Sequence, residues 1–161
     1  MDKLETEFFD FLIAAKRHSY AAGGPPEAIS CRKHSKDLRY SLGDYEYLDS
    51  YFGAEAFLGE EVVYRKGIPL WGMNYYGQSI FDADGDAGAA SATGGMGEIL
   101  HAALMLPPRE APYRGPRSYK KGASEYRCSW EGDPSAFFGD EEILRDAERI
   151  YSLRFHGGTI A

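Results

Sequence analysis

The chain has 161 residues, 43% of them hydrophobic and 14% aromatic, and its 25 acids against 18 bases leave a formal net charge of −7. That length suits one domain over residues 1–161, and so much apolar material excludes global disorder. An acidic balance argues against direct nucleic-acid binding, which needs a basic face, and no segment approaches the roughly 18 apolar residues of a membrane span.

The first residues, MDKLETEFF, lack the basic start and apolar run of a signal peptide, so a cytoplasmic location is expected. Leu4, Phe8, Phe11, Leu12 and Ala15 recur at helical spacing, with Phe9 and Ile13 widening the stripe. Gly23-Gly24-Pro25-Pro26 ends that helix. Strands are expected over Asp44–Phe52, Phe57–Arg65 and Ile68–Tyr76, with a turn at Lys66-Gly67. Asp82–Gly95 reads as a glycine-rich linker. Its Asp82, Asp84 and Asp86 miss the EF-hand pattern, because Ala87 and Thr93 stand where Gly and Glu belong. Met96, Ile99, Leu100, Ala103 and Leu104 form a second helical stripe, stopped by Pro107-Pro108. Further strands follow over Ser124–Trp130, Phe137–Arg145 and Glu148–His156, with a tight turn at Asp146-Ala147.

The two halves repeat. With one extra residue after Gly132, Tyr40–Ile80 aligns with Tyr119–Ile160. Identities include Tyr40/Tyr119, Gly43/Gly122, Tyr47/Tyr126, Gly53/Gly132, Phe57/Phe137, Gly59/Gly139, Glu61/Glu141, Arg65/Arg145 and Gly77/Gly157. The expected architecture is therefore α+β. It has internally duplicated αβββ units, with two helices packed on antiparallel sheet and related by a pseudo-twofold. Residues 1–81 form the first unit, 82–95 the linker and 96–161 the second. One such unit cannot cover its own apolar sheet face, so the two are expected to share a core.

Counting back from a two-residue turn pairs Val63 with Leu70, Glu61 with Gly72, Gly59 with Asn74 and Phe57 with Tyr76. Leu58, Val62, Tyr64, Trp71, Met73 and Tyr75 then form the core face, with Phe138, Leu144, Tyr151, Leu153 and Phe155 in the second unit. The other face holds the shared G-x-E-x-[VI]-x-R, in which glycine beside glutamate would leave a shallow hollow for a carboxylate. The candidate ligand-binding residues on that face are Glu61, Asn74, Tyr76, Glu141, Arg154 and His156. They combine donors, a stacking ring and charge for a small polar ligand. The alternative is that Glu141 simply pairs with Arg154 across the hairpin.

Other chemistry finds little support. No nucleophile elbow, Walker or dinucleotide glycine pattern is present. His18, His34, His101 and His156 lack ligand spacing, so neither a metal nor another cofactor is expected. Cys31 and Cys128 are too few for a disulfide framework and flank no base. Gly94-Gly95-Met96-Gly97 precedes the second helical stripe and could hold a phosphate, but the linker accounts for it. Cys31-Arg32-Lys33-His34 and Lys120-Lys121 read as solvated basic loops. An acid/base dyad of Glu61 with Glu141 across the pseudo-twofold stays geometrically open.

The blocks FLIAAKRHSYA, SKDLRY, GDYEYLDSYFG, GEEVVYRKGIPLWGMNYYG, PYRGP and LRFHGG resemble a bacterial and archaeal family of domains of unknown function. Members of that family stand alone or follow a helix-turn-helix of the xenobiotic-response-element type. The resemblance runs from about Phe8 to Ile160, departs at Asp82–Gly95 and transfers no catalytic residues. It implies a context, since a fusion partner of transcription regulators is often a sensor. The leading expectation is a small-molecule-binding or sensing domain with its ligand between the repeats. One alternative is a carboxylate-based hydrolase or isomerase. Another is an oligomerising module that pairs through strand edges at Ile68–Tyr76 or Glu148–His156 into a homo-oligomer.

Overall fold

The computed structural model describes residues 6–21, 29–80 and 89–160. In chain order the elements are α1 (Thr6–Ala21), β1 (Lys36–Leu42), β2 (Tyr45–Gly53), β3 (Ala56–Arg65), β4 (Ile68–Ser79), α2 (Ala89–Leu104), β5 (Ser118–Lys121), β6 (Ser124–Asp133), β7 (Ala136–Arg145) and β8 (Glu148–Thr159). All eight strands lie in one antiparallel sheet, ordered β1-β2-β3-β4-β8-β7-β6-β5. The α+β expectation of two αβββ units is thereby overturned. Among the described residues sheet dominates, two helices accompany it, and each half supplies four strands.

The two unexpected strands are the sheet edges. KDLRYSL and SYKK are polar and mostly exposed, so they lack the apolar alternation by which a strand is read. Gly43 (φ 60°) and Gly122 (φ 62°) supply the left-handed residue that turns each back along its neighbour. β4 and β8 pair with each other at the sheet centre. The edges expected to join chains are therefore internal, and β1 and β5 are the free ones.

The helices lie on one face. α1 packs on β1 and β2, α2 packs on β5 and β6, and the two helices touch. Phe8, Phe11, Leu12 and Ala15 are buried under α1, and Ile99, Ala103 and Leu104 under α2. Between them the segment after α2 closes the core. Tyr113 stacks on Phe137 at 3.7 Å, and Phe8 meets Trp71 at 6.0 Å. The anticipated linker is partly helix: 89–95 belong to α2, so Gly94–Gly97 lies inside that helix rather than at its start. Leu4, Asp82, Asp84 and Asp86 lie outside the described residues. Among the described residues no helix is long and apolar enough to cross a membrane.

The two turns expected from the sequence, Lys66-Gly67 and Asp146-Ala147, have two residues each, all at positive φ. The register beyond them differs by one. Leu70 and Ile150 are extra residues in β-bulges, so Val63 faces Trp71, Glu61 faces Met73 and Gly59 faces Tyr75. In the second half Ile143 faces Tyr151 and Glu141 faces Leu153. A one-residue slip exchanges faces. Phe57, Gly59, Glu61 and Val63 are thus on the helix-covered face with Trp71, Met73 and Tyr75, as are Phe137, Gly139, Glu141 and Ile143 in the second half. Leu58, Val62, Tyr64, Phe138 and Leu144 lie on the other.

Candidate functional site

The six candidate residues divide between the two faces. Glu61 and Glu141 are fully buried beneath the helices and the segment that follows α2. Asn74, Tyr76, Arg154 and His156 are exposed on the helix-free face. There Asn74 pairs with His156, and Tyr76 with Arg154, where β4 meets β8.

Each buried glutamate fastens a covering element to the sheet. Lys16 follows Phe8 and Leu12 at four-residue steps, so it stands on the buried stripe of α1. Its Nζ donates to Glu61 Oε2 at 2.5 Å and to the Tyr113 carbonyl at 2.6 Å. Arg114, in the segment after α2, donates to both Glu141 oxygens at 2.9 Å, and the hydroxyls of Tyr126 and Tyr151 add bonds of 2.6 and 2.8 Å. Burial holds the Lys16 pKa below its usual value, against the opposing charge of Glu61. Burial pushes the Cys128 thiol up to about 12, reinforced by the charge of Glu141, so that sulfur is no ready thiolate.

The glycine of G-x-E makes no hollow for a carboxylate. A Cβ on Gly59 would lie 2.3 Å from the Tyr75 hydroxyl oxygen, and one on Gly139 would lie 2.4 Å from the Phe155 ring. Those aromatic rings fill the space. Passing over Gly59 lets the Tyr75 hydroxyl donate to Asp49 Oδ1 at 2.7 Å. Asp49 faces Glu61 across β2 and β3. Burial, with the neighbouring Glu61 charge, raises the Asp49 pKa to about 7. The sequence reading missed Lys16, Asp49 and Arg114. The first two had a signal, since Lys16 continues the helical stripe and Asp49 continues the inward series Tyr45, Tyr47. Arg114 had none, because the P-Y-R-G-P segment has no periodicity.

Glu61 and Glu141 share no proton. Their strands are separated by β4 and β8, and Glu61 lies in the row of Phe137, four residues along β7 from Glu141, which places the two about 19 Å apart at the usual strand spacing and rise. Arg154 pairs with Asp140 at 3.1 Å, while Glu141 is held by Arg114. Among the described residues no three His, Cys, Asp or Glu side chains gather as a metal-holding group.

The helix-free face carries a hollow of about 740 Å³ over β4, β8, β7 and β6. Its floor is set by register. One row across the strands runs Ser129, Asp140, Arg154, Tyr76, and the next runs Arg127, Glu142, Ser152, Gln78. Arg117 and Arg149 also line it. Arg127 meets Glu142 at 3.8 Å and Arg149 meets the same carboxylate at 3.9 Å. Arg117 stacks over Trp130 at 3.9 Å, and Tyr76 donates to Gln78 Oε1 at 3.3 Å. Two of the six expected residues on this face, Tyr76 and Arg154, line the hollow, while Asn74 and His156 occupy the adjoining row.

A family model described as Domain of unknown function (DUF5680) matches residues 49–160. Neither a curated protein nor a solved structure matches the chain.

Proposed function

The chain belongs to that family, and from this premise we propose that it is a small-molecule-binding domain whose ligand, a small organic anion, lies in the hollow on the helix-free face. One observation carries the reading: Arg127, Arg149 and Arg154 stand together along one hollow of the open face in a chain of net charge −7. Exposed guanidinium groups clustered against the overall charge attract anions and grip them through paired N–H groups. The volume suits a drug-sized ligand. Arg154 takes the anionic end and Tyr76 the flat, apolar end. A sensing role is supported by the resemblance to domains that follow helix-turn-helix regulators. The carboxylate-based enzyme reading has no such support, because Glu61 and Glu141 lie on the opposite face from Arg154 and His156.

A thermal-shift screen of small organic anions beside neutral isosteres tests this, since a ligand of the native state raises the unfolding midpoint. At least one anion should raise the midpoint of the wild type, raise that of Asn74→Ala nearly as much, and have little effect on Arg154→Met. No response to any anion, or an equal response in all three proteins, would overturn the proposal.

A further inference from the structure

We infer that the covered core holds one exchangeable proton, carried by Asp49 opposite Glu61, and that its loss loosens the seat of α1: a pH-responsive latch. The latch lies on the face away from the hollow and stands independently of the anion-binding reading.

The proton follows from the charges enclosed. Beneath the helices and the segment after α2 are buried three carboxylates, Asp49, Glu61 and Glu141, and two cations, Lys16 and Arg114. Arg114 matches Glu141, and Lys16 matches Glu61. Asp49 is the acid left over. Among the described residues its hydrogen-bond donor is the Tyr75 hydroxyl. It stands directly opposite Glu61 on the neighbouring strand, where side chains come within about 5 Å of each other. Two adjacent ionised carboxylates with one ammonium to share would leave a net charge in the core, and binding a proton costs far less. The groups that face Asp49 are Lys16 from α1, Glu61 from β3, Tyr75 from β4 and Arg114 from the segment after α2, with Tyr51 on its own strand. Its partner on β1 is the apolar Leu38.

The latch follows from what covers the pair. α1 packs on β1, β2 and α2, and its Lys16 reaches across to Glu61 and to the Tyr113 carbonyl. Lifting α1 admits water to Asp49 and Glu61, so that both ionise. The closed state thus holds a proton that the open state releases. With the Asp49 pKa raised to about 7 by burial and by the Glu61 charge, opening is favoured as pH rises from about 4 to about 7 and is level above that. The central strands β4 and β8 are paired on both sides, and they open only with the whole sheet.

Native-state hydrogen exchange of the whole chain at pH 6 and pH 8, corrected for the intrinsic rate, reads this opening. At both pH values the α1 amides should be about tenfold or more less protected than those of β4 and β8. Their opening constant should rise about tenfold from pH 6 to pH 8 in wild type and stay level in Asp49→Asn. Tyr75→Phe removes a donor that favours ionised Asp49 while keeping the ring, so it should make the rise larger. If α1 is as protected as β4 and β8, it moves only with the whole fold and there is no latch. If the rise persists in Asp49→Asn, the proton belongs to another group, such as exposed His18 of α1, which stacks on Tyr40 at 5.0 Å, and the inference falls. No rise in wild type, or an unchanged or smaller one in Tyr75→Phe, overturns it as well, so the test stands even where Asp49→Asn does not fold.

Discussion

Asp49 sits 3% exposed beside Glu61, with the Tyr75 hydroxyl donating to it. Its folded pKa, near 7, lies above the ordinary carboxylate value because burial and the Glu61 charge disfavour its ionised form. A raised acid pKa means that the folded state holds a proton the unfolded chain has released. Stability therefore falls as pH rises from about 4 to about 7 and is level above that. Asp49→Asn keeps an acceptor for Tyr75 and removes the titration. Urea unfolding from pH 4.5 to 8 should show a flatter stability profile than wild type, with the variant the more stable at pH 8. A parallel slope in both proteins would place the titration elsewhere. The buried pairs behave differently. Arg114→Met would leave Glu141 inside with only two tyrosine hydroxyls, and uncompensated buried charge costs about 3–5 kcal/mol. Arg114→Met together with Glu141→Leu should recover much of that loss, which a double-mutant cycle measures.

The β-hairpins show how one element is decided locally and then altered by packing. Lys66-Gly67 and Asp146-Ala147 are both two-residue turns with every residue at positive φ, Ala147 at 69°. An alanine there is strained, and a glycine is not. Ala147→Gly should raise stability by about 0.5–1 kcal/mol, and Gly67→Ala, with open space around it, should lower it by about 1 kcal/mol. Chemical denaturation of both variants checks the pair. The bulges at Leu70 and Ile150 belong to the same hairpins, yet turn chemistry does not specify them. They bring Trp71 and Tyr151 inward, where Trp71 stacks on Phe137 at 5.6 Å, so the register follows from what the core must enclose.

Over the whole molecule, one sheet separates two environments. Its covered face encloses ion pairs that tie α1 and the segment after α2 to the strands, and its open face exposes arginines in a hollow. The two faces respond oppositely to mutation. Arg154 is 89% exposed and pairs with an exposed Asp140, so Arg154→Met should change stability by only about 0–1 kcal/mol. A loss as large as that expected for Arg114→Met would mean that the open face is structural, and circular dichroism melting of both variants makes the comparison.

The sequence alone determined the helices, six of the eight described strands and the two-residue turns at Lys66-Gly67 and Asp146-Ala147. Apolar periodicity and turn chemistry act over a few residues, and Phe8, Leu12, Trp71 and Leu153 carry that pattern in the chain itself. It also brought Tyr76 and Arg154 to one face, because both follow inward-facing aromatic or aliphatic neighbours at single steps. The tertiary structure decided what the glutamates do. Glu61 and Glu141 looked like site residues on a polar face. A single extra residue in each partner strand turned them toward the core, where Lys16 lies 45 residues away and Arg114 lies 27. It also decided that polar KDLRYSL and SYKK are strands and that β4 joins β8, which local pattern does not encode. Pairing across such separations depends on burying both halves against one another, and that free energy exists only when the whole sheet is assembled.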